Sequence, residues 1–232
     1  MKVIIEGPLQ GGKTTVSSVV KERYGLCYVS SAEAVRNAIQ VGSFPYSNTL
    51  KQLMEKGEAI PDTLLVKAVS DATRRPDCAN GFVLDGFPRT KRQALLLQEF
   101  EKVQADVVVE MDLADHVMQA RFGGRQFHPG SGRLYHTIYN PPIHPGKDDA
   151  TGEPLQQKEE DTPDAIAQRM LQYRRLIAEV RGTFRADQWV PVDASGNIEA
   201  VRNNVFAVLD ALQMSVLNAK VSTAKKAWWK LW

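Results

Sequence analysis

The sequence has few cysteines, little excess charge and no long apolar run. Cys27 and Cys78 are the only cysteines among 232 residues, and each lies in or beside an apolar run. This favours free thiols in a reducing compartment over a disulfide framework. The formal net charge of +2 gives no overall case for nucleic-acid binding. No apolar segment approaches the length of a membrane span.

Targeting signals are also missing from the start of the sequence. A strand-like run begins at residue 2, so we expect no signal or transit peptide, and Lys2 excludes N-myristoylation. Hydrophobic residues make up 43% of the chain, which is enough for one large domain with small insertions.

Short apolar runs alternate with helical patterns along the chain. The runs are near-continuous in hydrophobicity, which is typical of parallel strands buried on both faces. They are KVIIE (2–6), LCYVS (26–30), GFVLDG (81–86), DVVVEMD (106–112) and WVPVD (189–193). One helical stripe runs from Val16 to Tyr24, and another runs from Ile166 to Val180 behind Thr162 as N-cap and Pro163. We predict an α/β fold with a five-stranded parallel sheet flanked by helices.

Residues 123–154 interrupt this alternation. They hold six of the sixteen glycines and three of the four histidines. A structureless loop of this length would be unusual inside a compact domain. Aromatic and aliphatic side chains are interleaved with the turn residues, so an inserted lid is favoured over a disordered linker.

The stretch GPLQGGKTT (7–15) follows the first predicted strand and opens the first predicted helix. Its Gly7-x-x-x-x-Gly12-Lys13-Thr14 pattern matches a phosphate-binding loop in the context that such a loop requires. Glycines let backbone N–H groups surround phosphate, and the helix N-terminus adds positive charge. Lys13 would contact the β- and γ-phosphates, and a threonine hydroxyl would reach Mg²⁺.

The motif DGFPRT (85–90) ends the third predicted strand. Its carboxylate could hold the magnesium shell, and Arg89 could clamp phosphate. Together with other motifs, it makes the sequence resemble the adenylate kinases of the long-lid type. These motifs are GxxxxGK at 7–13, SSAEAVR at 30–36, NGFVLDGFPRT at 80–90, SGRLYH at 131–136, YNPP at 139–142 and GKDDATGEPL at 146–155.

The resemblance covers roughly residues 1–210 and implies a function. Enzymes of this family transfer the terminal phosphoryl group of ATP reversibly to AMP, giving two ADP. The alternatives left open are a kinase that uses GTP or another monophosphate, and a catalytically weak nucleotide-binding scaffold. The resemblance further implies a cytoplasmic monomer that binds ATP, AMP and ADP, needs Mg²⁺ and binds no nucleic acid.

It also implies a division of the chain. Residues 1–29, 61–122 and 162–212 would form the core phosphate-binding domain. Residues 30–60 would form an AMP-binding domain, and residues 123–161 a lid. Residues 213–232 form a tail beyond the resemblance.

The implied site residues fall into three sets. Catalytic phosphate contacts would come from Lys13, Arg36, Arg89, Arg125, Lys158 and Arg169. ATP would bind Gln10, Gly11, Gly12, Lys13, Thr14, Thr15, Arg121, Arg125, Leu134, Tyr135 and Gly196, with Mg²⁺ held through the nucleotide and waters near Thr14, Thr15 and Asp85. AMP would bind Ser31, Arg36, Glu58, Ala59, Ile60, Gly86, Phe87, Pro88, Arg89, Gln93, Lys158 and Arg169.

One departure from the family concerns Lys158, which stands where an arginine is common. Lysine keeps the charge but loses the bidentate fork, so transfer would be slower without the site being dead.

Four lid residues raise the question of a metal. His128, Ser131, Asp148 and Thr151 fall on the spacing at which some relatives carry four zinc ligands. Serine and threonine are poor zinc ligands, and no thiolate is present. We expect a hydrogen-bonded polar cluster that holds the lid, and no structural zinc.

The tail VLNAKVSTAKKAWWKLW (216–232) has an apolar stripe at helical spacing and four lysines with no acidic residue. This pattern is typical of a helix that binds a membrane surface or a partner protein. A terminal helix that packs its tryptophans on the core fits the sequence about equally well.

Overall fold

The computed structural model describes residues 1–9 and 11–228, without the side chains of Glu160 and of residues 216–228. The strands are β1 (Lys2–Glu6), β2 (Cys27–Ser30), β3 (Phe82–Asp85), β4 (Val107–Asp112), β5 (Arg125–Phe127), β6 (Leu134–His136) and β7 (Trp189–Asp193). The helices are α1 (Lys13–Tyr24), α2 (Ser31–Val41), α3 (Ser47–Glu55), α4 (Asp62–Thr73), α5 (Lys91–Leu95, continued by a π-helical turn at Leu96–Phe100), α6 (Asp115–Gly123), α7 (Pro163–Arg181) and α8 (Ile198–Trp228). Short 3₁₀ turns lie at Pro76–Cys78, Glu159–Asp161 and Ala186–Gln188.

Five parallel strands form the central sheet in the order β2-β3-β1-β4-β7. All five predicted strands and the α/β class are therefore confirmed. Because every neighbouring pair in this sheet is parallel, all five strands end at the same edge. The phosphate-binding loop and the DGFPRT turn lie at that edge, which is where ligands bind in open α/β sheets.

The near-continuous apolar strands are explained by burial on both faces. In β1, Ile4 packs into one hydrophobic cluster, while Val3 and Ile5 pack into another on the opposite face. The first cluster includes residues of α2, α3, α4, α5 and α7, and the second includes residues of α1, α6, α7 and α8. This two-sided packing fixes the sheet edge that carries the site.

The two cysteines form a disulfide, so the prediction of free thiols is wrong. Cys27 opens β2, and Cys78 ends the 3₁₀ turn that leads into β3. Parallel pairing of β2 with β3 places Cys27 opposite Phe82. The Cα atoms of Cys27 and Cys78 lie 4.9 Å apart. A sequence separation of 51 residues gave no sign of this contact.

The start of α7 differs in detail from its prediction. Thr162 is the N-cap residue and Pro163 is the first helical residue, as predicted, but the threonine side chain makes no cap hydrogen bond. Its hydroxyl donates instead to the carbonyl of Glu159 at 2.9 Å. The helix therefore begins at its proline without a side-chain cap.

Residues 125–136 include an antiparallel pair of strands, β5 and β6, apart from the central sheet. At the other end of the chain, the backbone of α8 continues as helix to Trp228. The predicted apolar stripe, lysines and tryptophans of the tail lie outside the described side chains. Across the part of the chain that the structure describes, no helix combines the length and apolar composition needed to cross a membrane.

Candidate active site

The phosphate-binding loop joins β1 to α1 at the edge of the sheet where the strands end. Gly12 is the N-cap of α1 and has a φ of 83°, a left-handed conformation that favours glycine. The Lys13 ammonium donates to the carbonyl oxygens of Gly7 at 2.8 Å and Pro8 at 2.7 Å. Backbone N–H groups at a helix N-terminus and the half-buried ammonium of Lys13 make this a site for an anion. Gln10 lies outside the described residues.

The DGFPRT turn lies against this loop and requires glycine at its second position. Gly86 has a φ of 61°, and a Cβ atom there would lie 3.0 Å from Cε of Lys13. The Arg89 Nε donates to the Gly86 carbonyl at 3.2 Å. Phe87 and Pro88 are buried and joined by a cis peptide bond. The turn therefore brings an arginine beside the loop lysine.

Asp85 connects three elements through one carboxylate oxygen. Its Oδ2 accepts hydrogen bonds from the Thr14 hydroxyl at 2.8 Å and from the Tyr28 hydroxyl at 2.7 Å. Burial and the bond to Asp85 raise the pKa of Tyr28 to about 12. Hydroxyl and carboxylate oxygens of this kind suit Mg²⁺, which prefers oxygen ligands and retains several waters. The chemistry of Thr14 and Asp85 therefore fits the expected metal.

A cleft of 320 Å³ opens between the loop, the DGFPRT turn and α7. It brings together four predicted site residues, namely Lys13, Gly86, Arg89 and Arg169. Its apolar wall comes from α6 and α7 and consists of Met118, Phe122, Ile166, Met170, Leu176 and Ile177. Cationic groups in a largely apolar cleft can hold phosphate away from water.

Glu6 also lines this cleft and was not predicted as a site residue. It is only 3% exposed. Burial raises its pKa to about 8, against the opposing effect of Lys13 and Arg89, while Asp85 and Glu110 add to the increase. Burial in turn lowers the pKa of Lys13, and Glu6 and Asp85 oppose that shift. Glu6 at the end of β1 and Lys13 at the start of α1 therefore place two coupled titratable groups in the cleft.

A second cavity of 710 Å³ lies on the other side of the loop. It contains seven of the residues expected to bind ATP, namely Gly11, Gly12, Arg121, Arg125, Leu134, Tyr135 and Gly196. The Arg121 guanidinium donates to the carbonyls of Ala194 at 3.0 Å and Gly196 at 3.3 Å. Arg125 forms an ion pair with the buried Asp161 at 3.4 Å. These contacts fix the walls of a cavity that is large enough for a nucleotide base and sugar.

The remaining predicted residues in the described part of the chain line neither of these two cavities. Gln93 is buried, and both ends of its amide have protein partners: Oε1 accepts from the Arg89 backbone N–H at 2.9 Å, and Nε2 donates to Asp62 at 2.8 Å. The Lys158 ammonium lies 5.8 Å from the centre of the Phe127 ring. The others in this group are Thr14, Thr15, Ser31, Arg36, Glu58, Ala59, Ile60, Phe87 and Pro88. Arg36 is exposed on α2, and Glu58 and Ala59 are exposed between α3 and α4.

The four residues at the zinc-ligand spacing form a polar cluster beside β5 and β6. His128 Nδ1 lies 2.8 Å from the Ser131 hydroxyl, and the Thr151 hydroxyl donates to Asp148 at 2.9 Å. The cluster also includes residues that the sequence did not indicate. Arg133 donates twice to Asp148, Tyr135 donates to it at 2.9 Å, and Glu153 contacts His128 Nε2 at 2.6 Å.

Asp148 is the centre of that cluster. Its side chain is fully shielded from solvent. The hydrogen bond from Arg133 is the main reason that the pKa of Asp148 lies far below its ordinary value, and bonds from Thr151 and Tyr135 contribute. The carboxylate thus ties the β5–β6 hairpin to residues 148–151.

Sequence reasoning missed Glu6, Tyr28 and Tyr173 in and near the cleft. Glu6 gave one signal, because it is the only acidic residue in the apolar run KVIIE. A charge at the end of a strand that is buried on both faces lies at the site edge of the sheet. Tyr28 and Tyr173 carried no comparable signal, since aromatic residues in a strand or on a helix stripe usually belong to the core.

Comparison with known proteins places these features in a family. A family model described as adenylate kinase matches residues 5–188. Proteins named adenylate kinase from Francisella tularensis subsp. novicida (strain U112) and from subsp. tularensis (strain WY96-3418) are each 34% identical to this chain over 220 residues. Each match covers 90% of this chain and 99% of the relative.

Proposed function

The chain belongs to the adenylate kinase family and is a phosphotransferase, and we propose that the two cavities hold the two nucleotides of its reaction. ATP donates its terminal phosphoryl group to AMP, and two ADP result. The observation that carries this proposal is the position of the phosphate-binding loop between the cavities, with Gly11 and Gly12 in the larger one and Gly7 and Lys13 in the cleft. A donor phosphate chain crossing the loop would meet an acceptor in the cleft. The family membership does not favour a scaffold or another monophosphate kinase.

The larger cavity is the proposed ATP site. Arg121 would face the adenine, while Leu134 and Tyr135 would cover the base from the β5–β6 hairpin. Gly196 and its neighbours would line the opposite wall. The donor phosphates would then lie on the loop at the N-terminus of α1, where backbone N–H groups and Lys13 stabilise negative charge.

The cleft is the proposed site of the acceptor phosphate. Arg89 and Arg169 enter it from two different elements, so they can hold a phosphate between them. Bidentate contacts of arginine with phosphate give orientation as well as attraction. In-line transfer requires this orientation more than it requires covalent chemistry.

Closure of residues 30–60 and 123–161 is the second part of the proposal. Ser31, Arg36 and Glu58–Ile60 lie outside the cleft, so AMP would have to draw this AMP-binding domain towards Arg89. Residues 123–161 would act as the lid that brings Arg125 and Lys158 to the phosphates. Closure would exclude water and complete the ring of positive charge. We further propose that Gln93 exchanges its bond with Asp62 for the adenine edge of AMP.

Mg²⁺ is the proposed metal, held through the nucleotide and waters near Thr14, Thr15 and Asp85. When bound, it would neutralise phosphate charge during transfer. We propose no structural zinc in the lid, because the Asp148 carboxylate already accepts bonds from Arg133, Tyr135 and Thr151.

The cellular setting is also a proposal. We propose a monomeric cytoplasmic enzyme that binds no nucleic acid, and a tail (213–232) that directs it to an anionic membrane surface or a protein groove. Disulfides are rare in cytoplasmic proteins, so a cytoplasmic location requires that the buried Cys27–Cys78 bond persist in a reducing compartment. Liposome binding and localisation of the full chain, compared with a variant ending at Gln213, test the role of the tail.

A coupled assay of nucleoside diphosphate formation tests the reaction. ATP and GTP serve as donors, and AMP, GMP, CMP and UMP as acceptors, each with and without Mg²⁺. We expect fast ADP formation from ATP and AMP, dependent on Mg²⁺. Nucleotide binding without turnover of any pair would show a scaffold, and faster transfer to another monophosphate would reassign the acceptor.

A further inference from the structure

Glu6 lines the cleft, and one oxygen of its buried carboxyl has no protein partner among the described residues. It ends a strand whose neighbouring residues are aliphatic, and it lines the cleft with Lys13, Gly86 and Arg89. Within the described part of the chain, its Oε1 accepts and donates no hydrogen bond. Burial of an unpaired polar oxygen is costly. A buried carboxyl with an unpaired oxygen, on a residue that lines a ligand-sized cleft, indicates that its partner is a ligand.

The charges that face Glu6 come from every element around it. Lys13 of α1 and Arg89 of the DGFPRT turn favour the carboxylate. Asp85 of β3 and Glu110 of β4 disfavour it, and burial disfavours it most. From α7, Arg169 and Tyr173 line the same cleft, and the Tyr173 hydroxyl also lacks a hydrogen-bond partner among the described residues.

The balance of these effects leaves Glu6 mainly as a neutral acid at pH 7, because its pKa is about 8. A neutral carboxylic acid has an O–H donor, whereas a carboxylate has only acceptors. Phosphate oxygens accept hydrogen bonds and repel carboxylates. An anion in the cleft would therefore favour the protonated form still further.

We infer that Glu6 is a substrate-binding residue that donates a hydrogen bond, as a neutral carboxylic acid, to a phosphate oxygen of AMP. The inference rests on the proposed function, because it assigns the cleft to the acceptor phosphate. Glu6 would thus supply an uncharged hydrogen-bond donor in the same cleft as the cationic groups of Lys13, Arg89 and Arg169. Binding of AMP above pH 8 would then require uptake of one proton by Glu6.

The test measures the KM for AMP at saturating ATP between pH 7.0 and pH 9.5, where AMP stays dianionic because its second pKa is near 6. The variants are Glu6→Gln, which keeps a donor that does not titrate, and Glu6→Leu, which has none. For the native protein, we expect KM to rise about tenfold per pH unit above pH 8. In Glu6→Gln the KM should change little with pH, and in Glu6→Leu it should be roughly tenfold higher already at pH 7.0.

Calorimetry supplies a readout independent of turnover. AMP is titrated at pH 8.5 into each protein in two buffers that differ in ionisation enthalpy. Net proton uptake is expected for the native protein and none for Glu6→Gln. Tyr173→Phe serves as the matched control, because it removes a hydroxyl from the same cleft without removing a group that titrates near pH 8, so proton uptake should remain.

Three results would overturn the inference. The same rise of KM in the native protein and in Glu6→Gln would assign the pH dependence to loss of charge on Lys13. A Glu6→Gln protein as impaired as Glu6→Leu at pH 7.0 would show that Glu6 acts as a carboxylate beside Lys13. Equal proton uptake in both proteins would exclude Glu6 as its source. If the native protein formed no ADP from ATP and AMP at pH 7.0, the proposed function itself would fail, which is a separate outcome.

Discussion

Removal of the Cys27–Cys78 bond should destabilise the protein substantially. The bond joins residues 51 apart, so it closes α2, α3 and α4 into one covalent loop. In the chain-entropy model, a loop of this size restricts the unfolded state by about 14 cal/mol/K, which is about 4 kcal/mol at 25 °C. For a chain of 232 residues, this free energy corresponds to a fall in melting temperature of about 8 °C.

Urea unfolding with and without a thiol reductant measures this effect. We expect the reductant to lower the free energy of unfolding of the native protein by roughly 2–4 kcal/mol, since native strain and residual unfolded structure reduce the entropic value. The control is the double variant Cys27→Ala and Cys78→Ala, which should unfold near the reduced native protein and should not respond to reductant. An oxidised protein that is no more stable than its reduced form would show that the bond does not stabilise the fold. Recovery of two free thiols from protein unfolded without reductant would show that the bond does not form.

Three further predictions concern single side chains. The Lys158→Arg variant should keep or raise kcat because arginine restores a bidentate contact, whereas Lys158→Ala should lower kcat. Unchanged kinetics in Lys158→Ala would show that Lys158 does not act on the phosphates. In the Asp148→Asn variant, hydrogen exchange at the β5 and β6 amides should become faster because the bonds from Arg133 weaken, while exchange in the central sheet stays the same. Unaltered exchange in the hairpin would show that Asp148 does not stabilise it. The pKa of Glu6 is raised from 4.5 to about 8 in the folded protein. As the pH rises from 4.5 to 8, the free energy of unfolding of the native protein should therefore fall by up to about 5 kcal/mol relative to that of Glu6→Gln. A constant difference between the two proteins would argue against the raised pKa.

Local patterns in the sequence predicted the central sheet and the loop. Each strand is a near-continuous apolar run because helices cover both faces of the sheet, so composition alone revealed it. The phosphate-binding loop was equally visible, since its glycines and Lys13 follow a strand and open a helix. Features of this kind depend on neighbours within a few residues.

Contacts across the fold were not predictable in this way. The disulfide depends on the parallel pairing of β2 with β3, which brings together residues that are distant in sequence. The state of Glu6 depends on burial and on charges from α1, the DGFPRT turn, β3 and β4. The amide of Gln93 has a partner on α4. Between residues 123 and 161, the spacing identified four polar residues. Arg133 and Tyr135 were not recognised as part of their cluster, because only the folded hairpin turns them towards Asp148.

Turnover of ATP and AMP by a Lys13→Ala variant tests whether this site carries out phosphoryl transfer. Lys13 lies in the cleft beside Arg89, where its charge would stabilise the transferred phosphoryl group. We expect ADP formation to fall by orders of magnitude while circular dichroism and the melting curve remain close to those of the native protein. The exposed Lys51→Ala, on α3, is the matched control and should keep full activity. Near-normal turnover in a well-folded Lys13→Ala protein would contradict the assignment of this site to phosphoryl transfer.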